Sequence, residues 1–394
     1  MADLGLLAVL FRQDPNPRMR RIPSTPRPDW RSRVENYGLG FHTPDGNPYW
    51  DESACYEFSV GEIDTIEEAT QTLHDLCLEL VDEIIQEGLW AHFDIPVALH
   101  PLIRQSWLTE SPSIYGRFDL AYDGSAPPKL LEYNADTPTS LLEASVAQWF
   151  WLKDIDRDGD QFNSIHERLI DAWRAQRSRL PNRVAFAGLG NLPEDLLTVE
   201  YMRDTATQAG INTFFIDIGD IGHDPTTQSF TDSRDGKPLP AIFKLYPWEW
   251  MTRERYGNLI PTTSTVWIEP PWKALLSDKA ILPLLWQRHP ECPYLLPATF
   301  DPPDYDHVRK PRLGREGANM QVVRNGRMEL ATSGPYIGPC VYQAWQPVQR
   351  FQGRHPVLGS WVINNVACGL GIREDDGPIT RDTSRFVPHR MIRH

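Results

Sequence analysis

No two cysteines in this chain stand in a CxxC spacing: the five, Cys55, Cys77, Cys292, Cys340 and Cys368, are scattered and odd in number. That argues against a zinc ribbon or a disulfide frame and for reduced thiols in a cytoplasmic protein. A basic excess is absent too. With 39 Lys and Arg against 53 Asp and Glu the formal charge is −14, the wrong sign for a general binder of nucleic acid or of an anionic membrane. The apolar run Leu4–Phe11 follows Asp3 and leads into Arg18–Arg21 and a proline-rich stretch, so it reads as neither a signal peptide nor a membrane span. There is no GxxxxGK[ST], no GxSxG, no HExxH and no internal repeat, which removes P-loop, nucleophile-elbow and zincin chemistries. Ala187-Gly188-Leu189-Gly190 lacks a third glycine in register and runs into Pro193-Glu194-Asp195, which would repel a pyrophosphate. A tight strand-to-helix turn explains it.

What is present suits a large mixed α/β fold. A hydrophobic content of 41% with 14 Trp supplies a sizeable core for 394 residues. Residues 1–28 read as a mobile tail and the folded body as starting near Trp30. Ser59-Val60-Gly61-Glu62 is a capping-box pattern opening a long helix with the stripe Ile63, Ile66, Leu73, Cys77, Leu80, Val81 and Ile84, closed by Gly88. A second helix is expected from Pro138–Ser140 through Leu152. Arg183–Leu189, Glu194–Ala209 and Ile211–Ile218 form a βαβ unit, which requires a parallel sheet in mid-chain. Ala241–Leu245 and Thr265–Ile268 add strands, and Ser277–Gln287 a helix. From Val308 onward short strands alternate with turn signals such as Asn325-Gly326, which predicts an antiparallel C-terminal third.

The densest set of ligand groups lies between Arg117 and Ser140. Two strands joined by an Asp123-Gly124-Ser125 turn would carry Arg117 and Asp119 on one, Glu132, Asn134 and Asp136 on the other. Residues i and i+2 share a strand face. If the pleats align, a guanidinium, three carboxylates and an amide converge, oxygen ligands suited to Mg²⁺ that also holds substrate phosphates. A solvated hairpin face with one ion pair would look the same in one dimension. Asp136–Ser140 leads into a helix, and Ser140 with Glu143 matches a capping box, which would offer free N–H groups to an anion. Arg309–Asn319 reads as a strand ending in Lys310 and a glycine-bearing loop able to fold over phosphates, or as a basic exposed turn. Gly369-Leu370-Gly371-Ile372-Arg373 would let a backbone approach a ligand, with Arg373 as a phosphate clamp, or is a charged surface turn.

Together these segments resemble the synthetase domain of the glutathionylspermidine synthase family, from about Arg27 to Pro388. The likeness rests on RPDWRSRVENYGLGFHT, RQSWLT, RFDLAYDG, LLEYNADTPTSLLEA, FKLYPWEWM, DKAILPLLW, KPRLGREGAN, LGSWVIN and GIREDDGPITRDTSRFVPH, all in one order. It is similar above all to stand-alone bacterial members without the amidase half. The resemblance implies one ATP-grasp synthetase domain over 29–388 in a permuted arrangement, with a pre-ATP-grasp βαβ lobe near 180–270 and an ATP-grasp lobe near 275–388. It implies Asp119, Glu132 and Asn134 as Mg²⁺ ligands and Arg117 as the stabiliser of the acyl-phosphate and tetrahedral species. Lys279, Lys310, Gly317, Ala318, Asn319, Gln343 and Arg373 are implied as ATP-binding. Thr137, Thr139 and Ser140 would hold the acid, and Glu194 and Asp195, with Asp382 behind them, the amine. The activity so implied is an ATP- and Mg²⁺-dependent carboxylate–amine ligase joining a glutathione-like acid to a spermidine-type amine through an acyl phosphate. A non-catalytic nucleotide binder of the same fold, or a phosphotransferase or ligase on other small molecules, is the alternative.

Overall fold

The computed structural model describes residues 19–392. Its frame is set by Val60–Glu87, a helix that forms because Ser59 and Glu62 cap its first turn reciprocally and Gly88, in the left-handed conformation at φ 71°, ends it. Its buried stripe, from Ile63 to Ile85, lies on the strands His355–Ile363 and Val366–Asp375. Those strands belong to a five-stranded antiparallel sheet in the spatial order Arg385–Phe386, Val366–Asp375, His355–Ile363, Tyr115–Ala121, Lys129–Asn134. All seven residues of Tyr115–Ala121 are buried. Phe118 and Leu120 join the core under the long helix, and Phe118 stacks on Tyr133 at 3.8 Å between ring centroids. Period-two alternation therefore sends Arg117 and Asp119 to the other face, toward a cleft.

A second five-stranded antiparallel sheet forms the opposite wall: Ala298–Thr299, Cys340–Ala344, His307–Pro311, Gln321–Arg324 and Arg327–Ala331, in that order. Between and below them stands a four-stranded parallel sheet, Val266–Ile268, Ala241–Lys244, Val184–Gly188 and Thr213–Asp217. Helix Pro193–Gln208 makes the crossover from Val184–Gly188 to Thr213–Asp217, the expected βαβ unit. Gly188 has a packing reason, since a Cβ there would lie 2.7 Å from Val199 Cγ2 of that helix. Among the described residues no helix is long and apolar enough to cross a membrane.

Four expectations change. Arg20–Pro23 is a strand paired with Ala54–Ser59, and Arg21 grips Glu374 through two hydrogen bonds of 2.8 Å. The folded body thus includes residues 19–28, and the rest of the expected tail lies outside the described residues. Gly369 and Gly371 approach no ligand: they sit inside Val366–Asp375, where side chains would collide with Ile165 and with the Phe386 ring. Asp136 leaves the carboxylate set for a buried ion pair with Lys244, Oδ1 to Nζ at 2.6 Å, while its Oδ2 accepts from the Trp248 N–H at 3.0 Å. The helix after Ser140 begins at Leu141 and carries a π-helical turn at Glu143–Ala147.

Burial pushes the Asp136 carboxyl up and the Lys244 ammonium down, although each attracts the other. Breaking such a pair from one side leaves an uncompensated buried charge. Lys244→Met is expected to lower stability by about 3–5 kcal/mol in urea unfolding, and Asp136→Leu in the same chain to recover much of that.

Candidate active site

The register across Tyr115–Ala121 and Lys129–Asn134 sets Arg117 opposite Asn134 and Asp119 opposite Glu132, with a bulge immediately after that pair. Four of the expected groups thus meet as two directly facing cross-strand pairs. Arg117 is 5% exposed. Its Nε donates to Asp119 Oδ1 at 2.7 Å and its third arm to the Thr139 carbonyl at 2.7 Å. Gly359 on the neighbouring strand makes room, since a Cβ there would lie 2.8 Å from Arg117 Cδ. Arg373 reaches the same carboxylate from the far side at 2.6 Å. Asn134 donates its Nδ2 to Glu132 Oε1 at 3.2 Å, which leaves the amide oxygen as its ligand atom.

The opposite wall brings Lys310, and the turn before the helix Ile281–Arg288 brings Lys279, which lines a small pocket beside the cleft and not the cleft itself. Lys310 donates to Leu131 O at 2.9 Å and to Gln343 Oε1 at 2.7 Å, and Gln343 passes its own Nε2 to Leu130 O at 2.9 Å. Lys279 pairs with Glu132 Oε2 at 3.0 Å and with Gly314 O at 2.6 Å. Burial disfavours the Glu132 carboxylate, but Lys279 and Lys310 overcome it and hold the group well below the usual range. The Lys310 ammonium is pushed down to about 8, by burial first and then by Lys279, against the pull of Glu132 and Asp119. Two carboxylates and an amide oxygen in this setting fit a hard cation that completes its shell with phosphate and water. Among the described residues no group of three or more His, Cys, Asp and Glu is placed to hold a metal by itself.

These walls enclose a cleft of about 330 Å³. One end is lined by the apolar residues Leu131, Val308, Ala344, Trp345, Val348 and Val357. At the other end stand Thr137, Thr139, Asp195 and Gly317. Gly317, at φ 65°, presses on Ile379 and Thr380 so closely that no side chain would fit. Ala318 and Asn319 do not line the cleft. Asn319 is held by Ser333 O and by the Tyr336 N–H, and Ala318 closes a turn onto Arg315 O. Ser140 and Glu194 also stand back from the lining, and Asp382 is exposed. The capping box at Ser140 does not form: Ser140 sits at φ 63°, and both its hydroxyl and Glu143 meet the Tyr49 phenol.

The glutathionylspermidine synthase preATP-grasp family matches residues 21–392. The chain belongs to that family. A Haemophilus influenzae protein whose name assigns it to the acid–amine ligases is 40% identical, over 95% of this chain and 100% of its own length. The trypanothione synthetase of Crithidia fasciculata is 28% identical over 81% of this chain. The bifunctional glutathionylspermidine synthetase/amidase of Escherichia coli is 25% identical over 82%. The chain spans 54% and 57% of those two longer proteins. In fold it is similar to a glutathione synthetase-like effector of Globodera pallida, with a TM-score of 0.57 at 11% identity over 92% of this chain and 96% of that one. The relatives are ligases, and this member of the glutathionylspermidine synthase family is an enzyme of that class.

Arg315 escaped the sequence reading although it lies in the motif KPRLGREGAN. It donates to Thr137 Oγ1 at 2.8 Å and to Glu249 Oε1 at 2.7 Å, and its guanidinium carbon lies 5.8 Å from the Trp250 ring centre. With Tyr246, Trp250 and Tyr336 it builds an aromatic and cationic wall at the Thr137 end. The motif FKLYPWEWM carried the signal, an unusual run of aromatic residues around one glutamate, but its partner lies 66 positions on.

Lys310 gives the site a pH dependence. Its charge is present below about 8 and lost above, and the phosphates of a nucleotide such as ADP are anions that such a charge would attract. The affinity for ADP measured by calorimetry is therefore expected to fall as pH rises from 7 to 9. Lys310→Arg, charged throughout, should remove most of that fall.

Proposed function

We propose that this chain is an ATP-dependent acid–amine ligase that activates a peptide-like carboxylate as an acyl phosphate and transfers it to a polyamine-like amine. The observation that carries the reading is the charge arrangement of the cleft. Arg117, Arg373, Lys279 and Lys310 surround Asp119 and Glu132 beside an apolar slot fit for a purine. The cations neutralise the carboxylates where they stand. Asp119, Glu132 and Asn134 would hold Mg²⁺, whose chemistry is to offset the charge of the triphosphate.

The residues then have distinct tasks. Lys310 and Lys279 face the phosphates, and Gln343 fixes the Lys310 ammonium through its side-chain oxygen. Thr137 and Thr139 line the cleft at the end where Arg117 and Arg315 can receive a carboxylate. The acid's oxygen attacks the γ-phosphorus and ADP leaves. The neutral amine then attacks the acyl carbon, the carbon–oxygen bond to phosphate breaks, and one amine proton departs with the phosphate. Such chemistry is mainly alignment and charge stabilisation, the work of fixed guanidiniums and ammoniums. Asp195 supports the amine side of the reading. Burial first, then Glu194 and Glu316, push its carboxyl up to about 6, a strain on the charged form that a bound ammonium would relieve. The names of the longer relatives point to glutathione and spermidine as the first pair to try.

An ADP-release screen of peptides crossed with polyamines, with mass spectrometry of the amide, tests the reading. Asp119→Ala and Lys310→Ala are each expected to lower the rate by roughly 10²–10³. Near-normal turnover in either variant would overturn the assignment of the site.

A further inference from the structure

Ser140 is a serine in the left-handed backbone region, at φ 63°, where non-glycine residues settle only when their surroundings enforce it. The enforcing contacts are buried and come from far away in sequence. Tyr49 is 8% exposed, Glu143 1% and Ser140 5%. The Tyr49 hydroxyl donates to Glu143 Oε1 at 2.7 Å and lies 3.1 Å from Ser140 Oγ. Its single proton is committed to Glu143, so Ser140 must donate to the phenol oxygen. Tyr49 is itself pinned, its carbonyl accepting from Phe386 N–H at 2.6 Å, and Phe386 stands opposite Arg373 in the sheet. Glu143 projects from the π-helical turn, an irregularity often found near functional sites.

The consequence reaches the reacting centre. The Thr139 carbonyl lies in the peptide plane that joins Thr139 to Ser140, so φ at Ser140 fixes where that oxygen points relative to the anchored Ser140 side chain. It accepts the third arm of Arg117 at 2.7 Å. We propose that Tyr49 and Glu143 are positioning residues: by holding Ser140 in its left-handed conformation they aim the Thr139 carbonyl and thereby fix Arg117 against Asp119. The support is also tuned to pH. The Glu143 carboxyl is pushed up to about 7, by burial first and then by Glu194, against the Tyr49 hydrogen bond and the Arg117 charge. When Glu143 takes up a proton it can donate to Tyr49, which reverses the chain and costs Ser140 its acceptor.

The inference rests on the ligase reading for its kinetic arm only. Tyr49→Phe removes the bridging hydroxyl, and Glu143→Gln replaces the ionisable carboxylate by a neutral amide that can turn its N–H₂ toward the phenol, each at almost constant volume. With ATP, glutathione and spermidine, both variants are expected to lower kcat roughly ten- to a hundredfold and to leave the KM for ATP within about twofold of the intact enzyme. The intact enzyme should gain rate as pH rises through about 7, and Glu143→Gln should lose that step; an unchanged kcat and pH profile would overturn the proposal. Crystal structures of the two variants supply the arm that needs no substrate. Ser140 should leave φ near +60° and the Arg117–Thr139 hydrogen bond should open, whereas an unmoved Arg117 refutes the positioning role. Should one variant fail to fold, the other decides. If the intact enzyme releases no ADP with any acid and amine, the ligase reading fails and the crystal structures still settle the role of Tyr49 and Glu143.

Discussion

Asp119 is a carboxylate 3% exposed to solvent and held between two guanidiniums, Arg117 from its own strand and Arg373 from a strand 254 positions away. A buried carboxylate is tolerated only when it is paired and hydrogen-bonded, so this contact ties the cleft to the integrity of the sheet. Tyr115–Ala121 and Val366–Asp375 are not neighbours, because His355–Ile363 runs between them. The bridge therefore spans the intervening strand on the cleft face. That strand offers Gly359 at the crossing, opposite both Asp119 and Gly371. A side chain at 359 would displace Arg117, which connects a backbone-level feature of the sheet to the placement of a charged group.

The same pairing explains how a site so rich in charge is accommodated by the fold. Asp119 has two arginines, Glu132 has Lys279 and the field of Lys310, and Glu249 has Arg315. Each of these ions is offset locally, so the part of the cleft around Asp119 and Glu132 carries no large uncompensated charge. On the ligase reading, a nucleotide arriving with a cation exchanges partners rather than creating new ones: cation meets carboxylate and phosphate meets ammonium. Such an exchange needs little side-chain movement, which is the condition for electrostatic stabilisation without reorganisation.

Much of this was legible one residue at a time. The i, i+2 spacing put Arg117 with Asp119 and Glu132 with Asn134, and the capping box and Gly88 bounded the long helix, because these signals act over one turn or one strand. The register that sets Asp119 opposite Glu132 was only a possibility in the sequence, since a slip by one residue would have put the two on opposite faces of the sheet. What could not be read depends on partners far apart. Asp136 looks like a third ligand until Lys244, 108 positions on, claims it. Gly369 and Gly371 look like a ligand loop until Ile165 and Phe386 fill the space above them. Ser140 and Glu143 have the spacing of a capping box, yet Tyr49, more than 90 positions earlier, takes both. Local pattern proposes a partner; burial selects another.

The carboxyls near Asp195 follow the opposite rule from Asp119 and Glu132, and the contrast carries information. Glu132 is held ionised by two lysines, whereas Asp195 and Glu316 are pushed upward by burial and by Glu194, with Arg315 as their main counterweight. One end of the cleft is balanced as it stands and the other is short of positive charge. A protein gains nothing in stability from carboxyls that raise one another's pKa, and on the ligase reading their grouping fits a cation brought by the substrate. An ammonium placed there restores the balance that the fold lacks. On that reading, the field that would bind an ammonium would also oppose its deprotonation, which favours proton loss nearer Arg117. For such a ligase, an acidic group beside a cationic centre is an arrangement that joining an acid to a charged amine could use.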